Sequence, residues 1–228
     1  MLDYMYAIDD KLLVSSESAV ALRHLSQFFG IRALAKRVGC FINEDISLDN
    51  MDIYLETTSA FDDLQTATLC ADRCALEVEN INPSSPLLIE MDPSFILDIV
   101  SSQKFNPLKH SKHMSTVMAS YFIMQVCVID GNVFEELTAA EYLPFIDEEA
   151  ALPLLILEAE LVRESADERA CLTSLQQRCV EGILPLFRGS TDHVVISDAD
   201  KKSRQNAIHN IMIPKKVLVE VLSTLSVY

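Results

Sequence analysis

The sequence predicts an all-α chain, and three observations carry that prediction. Apolar residues recur at three- and four-residue steps along most of the chain, the spacing of a helix buried on one side. Helix formers dominate, and only 5 glycines occur in 228 residues, too few for a strand-and-turn architecture. Ser, Asp and Asn repeatedly precede an apolar run, where a helix cap belongs. The length suits one large domain or two small ones, and half of the residues are hydrophobic, so a sizeable core can form.

The chain opens on a short apolar run, Leu2, Tyr4, Met5, Tyr6 and Ile8, too short to classify alone. In "SSES", Ser15 or Ser16 caps a helix with Glu17 in its first turn; Val20, Ala21, Leu22, Leu25, Phe28 and Phe29 form its apolar face. Gly30 ends that helix as a left-handed glycine would. Ile31, Leu34, Ala35, Val38, Phe41 and Ile42 predict a second helix, ending near Asn43 and Glu44. Asp49 or Asn50 caps a third, whose apolar residues are Met51, Ile53, Tyr54 and Leu55. Asp62 and Asp63 restart the helix, which continues through Leu64, Cys70, Cys74 and Val78.

"NPSSP" at 82–86 interrupts the helical pattern, because two prolines and two serines cannot continue it. Asp92 and Pro93 are cap and first helical residue of the next helix, with Phe95, Ile96, Ile99 and Val100 as its apolar face. "QKFNPLKHSKH" reads as a loop. A helix from Met114 to Val128 follows, apolar most of the way round and therefore expected to be buried. Asp130 and Gly131 break it before a short turn over 133–137. A longer helix starts at Asp147; Pro153 inside it means either a kink or a later start. "RESADERA" is a charged connection to a helix from Cys171 to Phe187. Residues 188–213 are expected to form a mobile loop, within which "HVVIS" is the best strand candidate. Pro214 opens a closing helix through Val217, Leu218, Val221 and Leu225. Short helices joined by tight turns suggest stacked antiparallel helical hairpins.

Charge excludes several functions. With 34 acidic against 18 basic residues the formal net charge is −16, so the chain repels nucleic acid and anionic membrane surfaces. The basic stretches Lys104–His113 and Lys201–Arg204 are short and read as solvated loops. The longest apolar stretch, about 117–129, contains Ser120 and Gln125 and is too short to span a bilayer. Met1–Asp10 is acidic and lacks the charged start of a secretory leader, so a reducing compartment, cytoplasm or nucleus, is expected. The cysteines are then free thiols. All but Cys171 sit in apolar helical stretches, where a thiol behaves as a small buried hydrophobe.

No motif of catalysis appears: no G-x-S-x-G, no phosphate loop, no dinucleotide fingerprint and no C-x-x-C pair. Asp62–Asp63, Glu135–Glu136 and Glu148–Glu149 lie at helix starts or on exposed faces, where they favour the helix dipole. His110 and His113 have a metal-compatible spacing, but Lys109 and Lys112 crowd them. His24 reads as a half-buried, hydrogen-bonded residue beside Leu25 and Phe28. The residues therefore predict no catalytic, cofactor-binding or metal-ligating site.

The order of segments resembles the end of a BTB/POZ domain followed by a BACK domain. "MLDYMYA" and "SSESAVALRHLSQFFGIRALAKRVGCFINEDISLDN" carry the first part. The matching residues are Tyr4, Tyr6, Glu17, Ala19, Val20, Leu22, Phe29, Ile31, Leu34, Cys40, Phe41, Ile42, Ile46 and Asn50. Ser26 and Ala7 depart from it, standing where Ala and Thr are commoner. "NMDIYLETTSAFDDLQTATLCADRCALEVENI" and "PLLIEMDPSFILDIVSS" are similar to the opening helices of BACK, and "EELTAAEYLPFIDEEAALPLLILEAEL" is compatible with a later hairpin. The resemblance implies residues 1–47 as the C-terminal part of a BTB domain and 48–228 as a BACK-like helical domain. It further implies a non-enzymatic adaptor, needing no cofactor, whose partners are a cullin scaffold and a substrate protein. Because it begins part-way through BTB, the chain is expected to be a fragment, with the main dimer interface and the cullin motif upstream of Met1. Tyr6 matches a position that contacts cullin in some family members. Leu2, Met5, Tyr6 and Phe28 are expected to form an exposed protein-binding patch, since their BTB neighbours are absent. Two other readings stay open: a helical interaction domain unrelated to ubiquitin, and a small helical ligand-binding protein or enzyme.

Overall fold

A computed structural model describes residues 14–125, 129–161 and 172–188. They are helical, and no strand occurs among them. The helices are α1 (Ser16–Phe28), α2 (Arg32–Asp45), α3 (Met51–Phe61), α4 (Leu64–Leu76), α5 (Leu87–Glu90), α6 (Pro93–Ser101), α7 (Pro107–Gln125), α8 (Gly131–Leu137), α9 (Glu148–Leu161) and α10 (Ser174–Arg188). Single 3₁₀ turns stand at Leu48–Asn50 and Val78–Asn80. The opening apolar run, "RESADERA", Cys127, Cys171, "HVVIS" and the closing helix lie outside the described residues. So does the loop expected at 188–213, apart from Arg188, the last residue of α10.

The described residues form two compact units. One runs to Ile81 and includes Glu90–Phe105; the other takes Asn82–Ile89 and everything described from Asn106 onward. In the first, α1 packs against α2 and α3, α3 against α4, and α4 against α6. Its interior holds Val20, Leu34, Ile42, Met51, Tyr54, Cys70, Cys74, Ile96 and Ile99. Gly30 turns α1 into α2 with φ +69°; its N–H donates to the Gln27 carbonyl (3.0 Å), and that of Ile31 to the Ser26 carbonyl (2.8 Å). This is the six-to-one, five-to-two closure that uses up the last carbonyls of a helix.

Asn50 is not the side-chain cap of α3. Its amide bridges Ser47 and Asp45 instead: Oδ1 accepts from the Ser47 N–H (2.9 Å), and Nδ2 donates to the Asp45 carbonyl (3.0 Å). The Asp45 carboxylate also accepts from Ser16 Oγ and Tyr54 Oη, both at 2.7 Å, which ties the start of α1 to the end of α2 and to α3. Burial, and then this bond to Asp45, push the Tyr54 pKa above its ordinary value.

In the second unit α7 and α8 pack against α9, and α9 against α10. Met114, Met118, Tyr121, Phe122, Phe134, Leu154 and Leu155 fill its core, and the rings of Phe122 and Phe134 stand 4.8 Å apart. The expected loop over 103–113 is corrected here. Helix α7 begins at Pro107, and Asn106 Oδ1 accepts from the N–H groups of Leu108 (3.1 Å) and Lys109 (3.3 Å). Asn-Pro is a cap followed by a proline at the first helical position, where the missing N–H costs nothing. Helix α9 starts at Glu148 and keeps Pro153 inside it, so the later start is not the one adopted.

Candidate functional site

Helix α1 buries the side opposite to its large apolar residues. Its buried residues are Ala19, Val20, Arg23 and Ser26. At 100° per residue these share one face, while Leu25, Phe28 and Phe29 point the other way. Leu25 is 39 % exposed, Phe29 57 % and Phe28 78 %. The expected phase of the helix, with Leu25 and Phe29 inward, is therefore corrected, while Phe28 is exposed. The reason is polar. Arg23, 4 % exposed, donates to the Asp63 carboxylate and the Thr66 hydroxyl, while Ser26 Oγ donates to the Arg23 carbonyl (2.7 Å). A buried guanidinium is tolerated only when so paired, and the pairing fixes which side of α1 faces in.

Asp63 is also the cap of α4, where its Oδ1 accepts from the Thr66 N–H (3.2 Å). Burial works against its charge. The bonds from Arg23 and Thr66 outweigh that, and its pKa lies below the ordinary 3.8.

The rings of Phe28 and Phe29 meet edge to face at 5.1 Å, so the exposed patch is an ordered aromatic surface. Of the four residues expected to bind protein, Phe28 stands on this patch; Leu2, Met5 and Tyr6 lie outside the described residues. Leu25 and Phe29, expected in the core, belong with it. His24 is exposed rather than half-buried, and its ring sits 5.3 Å from that of Phe61. Cys40 is exposed, against expectation, because α2 turns Leu34, Val38 and Ile42 inward, and Cys40 lies two residues, roughly 200° around the helix, from both Val38 and Ile42.

The second unit contains a cleft of about 890 Å³. Lys109, Lys112, His113 and Thr116 line it from α7; Asp147, Glu148 and Glu149 from the start of α9; Arg178, Glu181 and Gly182 from α10. Pro83, Pro144, Phe145 and Ile146 complete it. The sequence hides this cleft, because by composition the Lys109–His113 stretch reads as a loop. Read as a helix begun by Asn106–Pro107, the same residues fall at i, i+3 and i+4 on one face. Arg178 is a brace here: it donates to the carbonyls of Leu143 and Thr138, and burial lowers its pKa.

The buried thiols are inert. Burial pushes Cys70, Cys74 and Cys179 up to about 12 each, far from the thiolate a nucleophile needs. Among the described residues no three His, Cys, Asp or Glu side chains gather to hold a metal ion, and no helix is long and apolar enough to cross a membrane. No protein-family model, curated protein or solved structure matches this chain, so the likeness to BTB and BACK domains rests on the residues quoted for it.

Proposed function

We propose that this chain is a non-enzymatic protein–protein interaction adaptor, of the BTB–BACK kind that links substrates to cullin-based ubiquitin ligases. The observation that carries the interaction reading is the outward face of α1, where Leu25, Phe28 and Phe29 stand exposed opposite a buried Arg23. Scattered single apolar residues need no explanation, whereas three on one helix face, two of them in ring contact, make a hydrophobic anchor. Covering one such phenylalanine is worth about 2 kcal/mol. The ligase reading is supported by the likeness of residues 1–50 to the end of a BTB domain.

The test is co-purification of a cullin scaffold with the full-length gene product, wild type against Phe28→Asp. Phe28 is outside the core, so the variant should unfold at the wild-type urea concentration. Cullin capture that falls about tenfold or more in the variant supports the proposal. No capture by the full-length wild type overturns the ligase reading, and equal capture by both proteins overturns the role of the α1 face.

A further inference from the structure

The cleft of the second unit presents charge of both signs on separate walls. On α7, Lys109, Lys112 and His113 form a basic face in a chain whose net charge is −16. Asp147, Glu148 and Glu149 at the start of α9 and Glu181 on α10 form an acidic one, beside which Arg178 is turned to the Leu143 and Thr138 carbonyls. The exposed ring of Phe145, 49 % accessible, lines the same space.

These walls are fixed by bonds within the unit. The Asp147 N–H donates to Ser115 Oγ (2.9 Å), which fastens the acidic wall to α7. Arg178 fastens α10 to the carbonyls of Leu143 and Thr138. Gly182 lets α10 lie against the backbone of Ile146; a Cβ there would stand 2.8 Å from the Ile146 carbonyl oxygen. A cleft held in shape before its ligand arrives loses little entropy on binding.

The charge pattern selects the ligand. A phosphate-rich polymer meets Asp147 and three glutamates and a purely cationic one meets two lysines, so each gains on one wall what it loses on the other. A ligand with both signs, held apart by an apolar group, is attracted by both walls. An extended polypeptide supplies that arrangement, with same-side side chains roughly 7 Å apart.

We propose that this cleft docks an extended segment of a partner protein in which an acidic and a basic side chain flank an apolar one. The acidic group faces Lys109 and Lys112, the basic group faces Glu149 and Glu181, and the apolar group rests on Phe145. This rests on the reading of the chain as an interaction module, and adds a second surface with its own partner chemistry.

A phage-displayed library of short random peptides, selected on the whole chain, tests it. Enriched peptides are then measured by fluorescence anisotropy on wild type, Lys112→Glu and Glu149→Lys. Both side chains are exposed, and circular dichroism checks that each variant keeps its helices. Enriched peptides should share the acidic–apolar–basic pattern. Each variant should weaken them by about tenfold, and exchanging the peptide's acidic residue for lysine should restore binding to Lys112→Glu. Peptides without the pattern, unchanged affinity in both variants, or no enrichment at all would overturn the proposal. Phe28→Asp, in the other unit, should bind the peptides as wild type does. Loss of cullin capture there with peptide binding intact separates the fate of this proposal from that of the adaptor reading.

Discussion

Arg23 and Asp63 show how a single pair sets the orientation of a helix. Sequence spacing identified α1 as a helix and Asp63 as a start signal, but nothing in a one-dimensional pattern pairs residues 40 positions apart. The bonded pair removes the desolvation cost that would otherwise keep Arg23 outside. Asp63→Asn should therefore lower the unfolding free energy by about 3 kcal/mol at neutral pH, read from urea denaturation. Because the folded pKa of Asp63 lies below 3.8, its ionised form supports the fold above that pH, and the support fades as the pH falls further. The variant's stability should accordingly change less than the wild type's below pH 3.8. A second residue-scale expectation concerns the thiols. Iodoacetamide should modify Cys40 in the native protein and leave Cys70, Cys74 and Cys179 untouched until denaturant is added, as mass spectrometry of the labelled peptides would report.

Helix boundaries were legible at most places where the cap chemistry was explicit. Ser15 precedes α1, Gly30 ends it, and Asp92 with Pro93 opens α6, its carboxylate accepting from the Ser94 N–H at 2.8 Å. The same chemistry stands at Asn106–Pro107, where the lysines and histidines that follow suggested a solvated loop. Composition and cap signal disagreed there, and the cap decided, since a polar helix face is stable once the opposite face is buried. Asn106→Ala should cost about 1 kcal/mol, seen as a lower urea midpoint with unchanged helical circular dichroism under native conditions. Gly182→Ala should cost more than the same change at Gly39, because only Gly182 has a backbone oxygen in the path of the new methyl group. Comparing the two thermal midpoints checks this.

For the molecule as a whole, the excess of carboxylates gives a pI of about 4.6. Light scattering should show self-association rising as the pH is lowered towards that value and the mutual repulsion of copies disappears. The sequence by itself determined the helical class, most of the helix starts and stops and the acidic character. These follow from local periodicity, cap chemistry and composition, which act over a few residues. Only the tertiary structure decided that α1 turns Leu25 and Phe29 outward, that Asn50 bridges Asp45 and Ser47 rather than capping α3, and that two lysines share a cleft with three glutamates. Each of these depends on which distant residue satisfies a buried charge or hydrogen bond, and partners of that kind are brought together only by folding.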